Sequence, residues 1–341
     1  MKLASSLVFL ALVLSGCSDD DATATATPDS GTFDTGSTTA DTGSTPTDSG
    51  STDSAAAKDL VDTAIGAGSF KTLVAAVQAA GLESALRGKG PFTVFAPTDD
   101  AFAKDVPDFL KTQLLSAPYK TELGLILKYH VLAANVKAGD VLGKKLTPDT
   151  LLPGVKLAVD GSDGKTVVLD GSKKVSTADV VASNGVIHVI DGVLLPSIVD
   201  TAVAYDDGTT TFKTLVTAVT AADLGATLSG PGTFTVFAPT DKAFADLKAS
   251  IGAAAFDAIL ADKAKLGAIL KYHVLSSVAF AKDVTAGDKT TVQGTSFKVE
   301  IAGGKVSITD GSGGKANVVL TDLPNRNGVI HVIDKVLLPK S

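Results

Sequence analysis

The sequence predicts an α+β protein made of two tandem copies of one domain. Three observations carry that reading. The body of the chain repeats itself block for block. Within each copy helical periodicity comes early and strand patterning late. Ahead of the copies lie an apolar leader and a Ser/Thr/Asp-rich stretch that show neither pattern.

Residues 1–17, MKLASSLVFLALVLSGC, hold Lys2, a short apolar run at 7–14, then small residues before Cys17. The run is too short to span a bilayer as a helix and reads as an export signal. LSGC at 14–17 resembles the lipobox of bacterial lipoproteins, which implies an acylated Cys17 as the new N-terminus. The other reading of this end is a soluble secreted protein. Cys17 is the single cysteine, so no intramolecular disulfide forms. As a lipid attachment point the lone thiol is consumed, and more than one acyl chain gives stable anchoring.

Residues 18–57 are almost all Ser, Thr, Asp, Gly, Ala and Pro, with Phe33 the one aromatic. Such a segment cannot bury enough apolar area to offset its ordering entropy, so a disordered tether is expected. Its typical reach is roughly 35 Å, and its Ser/Thr density permits O-glycosylation. The tether holds eight Asp and no Lys or Arg, while the whole chain carries −7. With Lys2 set aside, the body from residue 58 is neutral, which excludes an overall bias towards nucleic acid or anionic lipid.

The copies run over 58–197 and 198–341. SFKTLVAAV at 69–77 answers TFKTLVTAV at 211–219, and FTVFAPTDDAF at 92–102 answers FTVFAPTDKAF at 234–244. ILKYHVL recurs at 126–132 and 269–275, NGVIHVID at 184–191 and 327–334, and VLLP closes both copies. Each copy, about 140 residues, is long enough for its own core, and the unit is far longer than a solenoid repeat. Almost no linker separates Pro196 from Ile198, so the domains should be close-coupled.

Phe70, Leu73, Val74 and Val77 follow helical spacing, with Ser69 as the expected N-cap and Gly81 near the end; Phe212, Leu215, Val216 and Val219 repeat the pattern. FTVF is a strand stopped by Pro97 or Pro239. The following Thr-Asp opens a helix, with Thr98 or Asp99 as cap. The Gly-rich stretches at 155–175 and 297–315 read as a meander of strands.

All four histidines lie in the duplicated blocks: His130 and His273 in ILKYHVL, His188 and His331 in NGVIHVID. Helical spacing puts His130 and His273 on an apolar face, where a histidine is expected to be a hydrogen-bonded core residue. A role in a binding surface or a metal site stays open for both. NGVIHVID reads as a tight turn and a strand covered on both faces, so His188 and His331 need buried partners. The carboxylates of Asp99 and Asp241, or nearby backbone carbonyls, are the candidates. Zinc held by the histidines of one copy is chemically allowed, but 58 residues separate them and no HExxH-like spacing occurs. DGKT at 163–166 lacks the upstream glycine of a phosphate loop, DGSDG at 160–164 lacks EF-hand ligands, and no GxSxG occurs. No enzyme and no cofactor is expected.

In this order and spacing, FTVFAPTDxAF, KYHVL and NGVIHVIDxVLLP resemble the fasciclin domain family over 58–340. The resemblance implies a β-sandwich or wedge with packed helices, often in tandem. It also implies extracellular or surface-anchored adhesion to cells, matrix or glycans, and no catalysis. By motif, the Tyr-His pair implicated in adhesion in some animal members falls on Tyr129-His130 and Tyr272-His273. Asp99, His188, Asp241 and His331 belong to the hallmark blocks as structural residues. The Asp-Ile motifs tied to integrin recognition have no match here. The resulting expectation is an adhesion or interaction protein of the bacterial cell envelope, lipid-anchored at the outer membrane or cell surface. Its expected partner is a cell-surface or matrix protein or a glycan. The alternatives are an envelope scaffold binding polysaccharide or protein, and a histidine-based metal-binding envelope enzyme.

Overall fold

The computed structural model describes residues 57–340. The export signal, Cys17 and all of the tether but its last residue lie outside the described residues. Among the described residues no helix is long and apolar enough to cross a membrane.

The first half opens with three helices, α1 (Leu60–Ala67), α2 (Lys71–Ala80) and α3 (Glu83–Leu86). Asp59 caps α1 through the Asp62 amide, and Gly81, at φ 70°, closes α2 in the left-handed conformation. Ser69 is not the cap of α2: Phe70 takes that position and offers no side-chain acceptor. Next come β1 (Phe92–Pro97), α4 (Asp99–Asp105), α5 (Asp108–Leu114), α6 (Lys120–Tyr129), β2 (Val131–Leu132) and α7 (Ala138–Val141). The strands β3 (Lys145–Leu146), β4 (Val159–Asp160), β5 (Val168–Leu169), β6 (Lys173–Ala182) and β7 (Gly185–Ile190) complete the half.

From β3 to β7 the strands form an antiparallel meander, and β1 then lies parallel to β7, Phe92 facing Gly185 and Pro97 facing Ile190. The sheet order is β2-β1-β7-β6-β5-β4-β3. β7 is thus flanked on both edges, which is why its sequence is apolar on both faces. A Cβ on Gly185 would sit 2.1 Å from the Phe92 carbonyl oxygen, so the Asn-Gly glycine is needed for strand approach as well as for the turn. β6 pairs with β5 at one end and β7 at the other, with register shifts on either side of Thr177. These irregularities bend it and split the sheet into the two leaves of a wedge.

The second half repeats the plan with α8 (Ile198–Ala204), α9 (Lys213–Ala221), α10 (Gly225–Ser229), β8 (Phe234–Pro239), α11 (Asp241–Ile251), α12 (Ala253–Ala261), α13 (Lys263–Tyr272) and β9 (Val274–Leu275). Strands β10 (Gly287–Thr290), β11 (Ser296–Ala302), β12 (Lys305–Thr309), β13 (Lys315–Asn325) and β14 (Gly328–Ile333) follow. The sheet order β10-β11-β12-β13-β14-β8-β9 matches the first, again with a parallel β8–β14 pair. One apolar cluster runs through the junction, from Leu157, Leu169 and Ile190 of the first half to Tyr205, Phe212 and Leu215 of the second.

Candidate functional site

The duplicated polar residues define what each half holds in place. His130 closes α6 and is only 2 % exposed. Its Nδ1 lies 2.7 Å from the Ile126 carbonyl oxygen, and its Nε2 accepts from the Leu194 amide at 2.9 Å. A carbonyl can only accept and an amide N–H can only donate, so the ring is neutral with its proton on Nδ1. Burial agrees, pushing the imidazole down to about 4. His273 repeats every contact, with Ile269 at 2.8 Å and Leu337 at 2.8 Å, and is likewise pushed down to about 4.

His188 and His331 hold the opposite ring orientation of donor and acceptor. Nε2 of His188 donates to the Val136 carbonyl at 2.8 Å, and Nδ1 accepts from the Asp179 amide at 3.2 Å. Asp179 sits in β6 at φ 58°, the irregular point that turns its N–H towards the ring. Ala279, Asp322 and the φ of 60° at Asp322 reproduce this around His331. The Asp99 and Asp241 carboxylates are therefore not the partners of these histidines; backbone groups are.

Asp99 and Asp241 act elsewhere. Thr98 accepts from the Ala101 amide and caps its own helix, α4. Asp99 instead accepts from the amides of Lys71 and Thr72 at 3.2 and 2.7 Å, capping α2 from a remote segment. Asp241 does the same for α9 through Lys213 and Thr214, with a further bond from Thr211. These bonds hold both carboxyls below the usual range against the opposing effect of burial. Asn184, legible in the sequence only as a turn residue, ties α1 and α3 to β7. It accepts from the Leu60 amide at 3.0 Å and donates to the Leu86 and Gly88 carbonyls at 2.8 Å each.

Tyr129 and Tyr272 are fully buried beside their histidines. The Tyr272 hydroxyl donates to the Ser296 carbonyl at 2.9 Å and accepts from the Gly311 amide at 2.9 Å. The Tyr129 hydroxyl donates to Asp170 at 2.7 Å and receives a bond from Arg326 of the second half at 3.3 Å. Burial pushes both the Tyr129 phenol and the Asp170 carboxyl up. The Tyr-His pairs thus lie together but inside, and all eight imidazole nitrogens are engaged by backbone. Among the described residues no group of three metal-ligating side chains converges.

Two concave features went unseen in the sequence. At the junction, Asp105, Asp170, Ser172 and Lys173 face Asn325 and Arg326 across a polar cleft of about 220 Å³. Lys173 bridges Asp105 at 2.6 Å within it. In the first half an apolar cavity of about 280 Å³ lies under α1, α2 and α3, with β1 and the end of α6 as its floor. The cavity's only sequence signal is the repeated LVDTA/IVDTA at 60–64 and 198–202, which marks a wall but not a space.

The Fasciclin domain model matches twice, over residues 68–196 and 210–339. Protein sll1483 of Synechocystis sp. is 46 % identical over 140 residues, covering 41 % of this chain and 74 % of that protein. Transforming growth factor-beta-induced protein ig-h3 of Sus scrofa is 30 % identical over 76 % of this chain; the match spans 36 % of that protein's length. A solved FAS1 domain pair from the insect cell adhesion molecule Fasciclin I is matched over 80 % of this chain and 98 % of that one, at 20 % identity and a TM-score of 0.38.

Proposed function

Since the chain belongs to the fasciclin domain family, we propose that it is a non-enzymatic adhesion or interaction protein of the bacterial envelope. In this reading Cys17 carries the lipid anchor, residues 18–57 form the tether, and domains 58–197 and 198–341 are displayed at the outer membrane or cell surface. The partner is a cell-surface or matrix protein or a glycan. The observation that carries the proposal is the double family match over the body. The engagement of every imidazole by backbone supports the absence of histidine chemistry.

Tyr129-His130 and Tyr272-His273 enter the proposal as positioning residues: enclosed as they are, they bear on binding through the surface they hold in place. The polar cleft at the junction favours a second reading, a scaffold that binds envelope polysaccharide, because it sets hydrogen-bond donors and acceptors, Asp105, Asp170, Ser172, Lys173, Asn325 and Arg326, beside the aliphatic patch of Val193, Leu194 and Leu195. Deletion of residues 58–341 tests the first reading: cell–cell or cell–surface attachment is expected to fall. Unchanged attachment under all growth conditions, with loss of polysaccharide from envelope pull-downs, would sink adhesion in favour of the scaffold.

A further inference from the structure

The two halves share one plan but differ in one internal space. Under α1 and α2 of the first half the cavity measures about 280 Å³. At the matching place under α8 and α9 of the second half it measures about 30 Å³. The shared wall is the same in kind, Leu60, Ala64 and Val77 answering Ile198, Ala202 and Val219. The fold itself therefore does not require the space, since the same architecture closes almost completely in the second copy. The first cavity extends further, to Leu82 and Ala85 around α3 and to Leu151, whereas the second reaches none of their counterparts.

The chemistry of the lining is one-sided. Leu, Val, Ala and Ile make up the wall, and no aromatic ring lines it except the His130 imidazole, whose nitrogens are already occupied. Such a wall suits a flexible saturated chain better than a planar ring, which gains from aromatic neighbours. Three polar side chains stand among the lining: Gln78, Glu83 and Lys128. Glu83 is held by Arg87 at 3.1 Å. Lys128 is half-buried and, among the described residues, pairs with no carboxylate. Its counterpart Lys271 is exposed and does not line the small cavity of the second half.

We propose that the first domain binds a free fatty acid, its aliphatic chain in the cavity under α1, α2 and α3 and its carboxylate against Lys128. Gln78, exposed beside it, donates a second hydrogen bond to the carboxylate. The proposal concerns the first domain alone and is independent of what the protein adheres to.

The test is calorimetric titration of sodium dodecanoate into the full chain with Cys17→Ser, which carries no acyl group of its own. Saturable binding of one dodecanoate per chain is expected. Lys128→Gln, at a half-exposed position, should weaken dodecanoate about fivefold and leave 1-dodecanol unchanged. Ala64→Leu, which fills the cavity, should abolish binding of both; if that variant does not fold, Val74→Phe at the half-buried rim serves instead. No saturable binding, two dodecanoates per chain, or binding untouched by the cavity-filling variants would overturn the proposal. Binding by the Cys17→Ser chain but not by the acylated chain would also overturn it, assigning the cavity to the protein's own lipid.

Discussion

His130 and His273 show what a single duplicated residue does here. Each joins the end of a helix to the VLLP segment that closes its domain, accepting from Leu194 or Leu337 and donating one turn back. Removing the ring leaves two buried backbone groups unpaired, each costing on the order of 1–3 kcal/mol. His130→Ala should therefore lose about 3 kcal/mol and lower the melting midpoint of its domain by very roughly 10 °C; an unchanged midpoint in a thermal scan would remove the structural role. The same burial fixes a pH dependence. The folded-state value is about 4 against 6.5 for the free group, so the unfolded chain takes up the proton first. The stability this contributes is fully present above pH 6.5 and is lost as pH falls from 6.5 towards 4, with a slope of up to about 1.4 kcal/mol per pH unit for each ring. Asp99 and Asp241, held low, lose their contribution only below the free value of 3.8, so the two effects separate on the pH axis. Denaturant midpoints measured between pH 7 and 4.5 should fall in the wild type and fall less steeply in His130→Ala.

At the scale of elements, the Thr-Asp of FTVFAPTD caps two helices at once. Thr98 serves α4, while Asp99 crosses to the exposed amides at the start of α2, where a carboxylate also meets the positive end of the helix dipole. Asp99→Ala should cost about 1–2 kcal/mol, with faster hydrogen exchange at the Lys71 and Thr72 amides and no change at Ala101. Equal loss of protection at Ala101 would mean that the two caps are one unit. The sequence made Thr98 and Asp99 rivals for one cap and assigned α2 to Ser69, because a local rule sees only the residues before a helix. Periodicity did locate α2, α9, β1, β7 and the meander, since each is written within a few consecutive residues. The parallel pairing of β1 with β7 was illegible, as nothing local in Phe92–Pro97 names a partner beyond residue 184. For the same reason Asp179 could not be matched to His188: its role depends on a bend in β6 that its neighbours do not encode. The Tyr-His pairs were legible as motif and as apolar-face residues, but their buried partners were not: VLLP amides meet the histidines, while Asp170, Arg326, Ser296 and Gly311, all distant in sequence, meet the tyrosine hydroxyls.

At the scale of the whole molecule, the junction joins the halves through groups that differ from the repeat. The Tyr205 hydroxyl, from the end of α8, donates to Glu122 of α6 at 2.9 Å, and the aligned residue of the first copy, Ala67, has no such reach. Glu122 is 2 % exposed, its Oε2 has no hydrogen-bond partner among the described residues, and burial, with the nearby charge of Asp207, pushes its carboxyl up. A carboxyl raised in the folded state opposes folding at neutral pH and is relieved as pH falls towards its folded value, the reverse of the histidine effect. Glu122→Gln keeps an acceptor for Tyr205 and removes the buried charge, so it should raise stability at pH 7 by on the order of 1 kcal/mol. For a body of this size that is a rise in midpoint of about 2 °C. The advantage should shrink as pH falls, since the wild-type carboxyl then becomes neutral by itself. Thermal scans of both chains at pH 7 and pH 5 decide the matter: a Gln variant less stable than wild type at pH 7 would mean that the ionised carboxylate itself holds the two domains together.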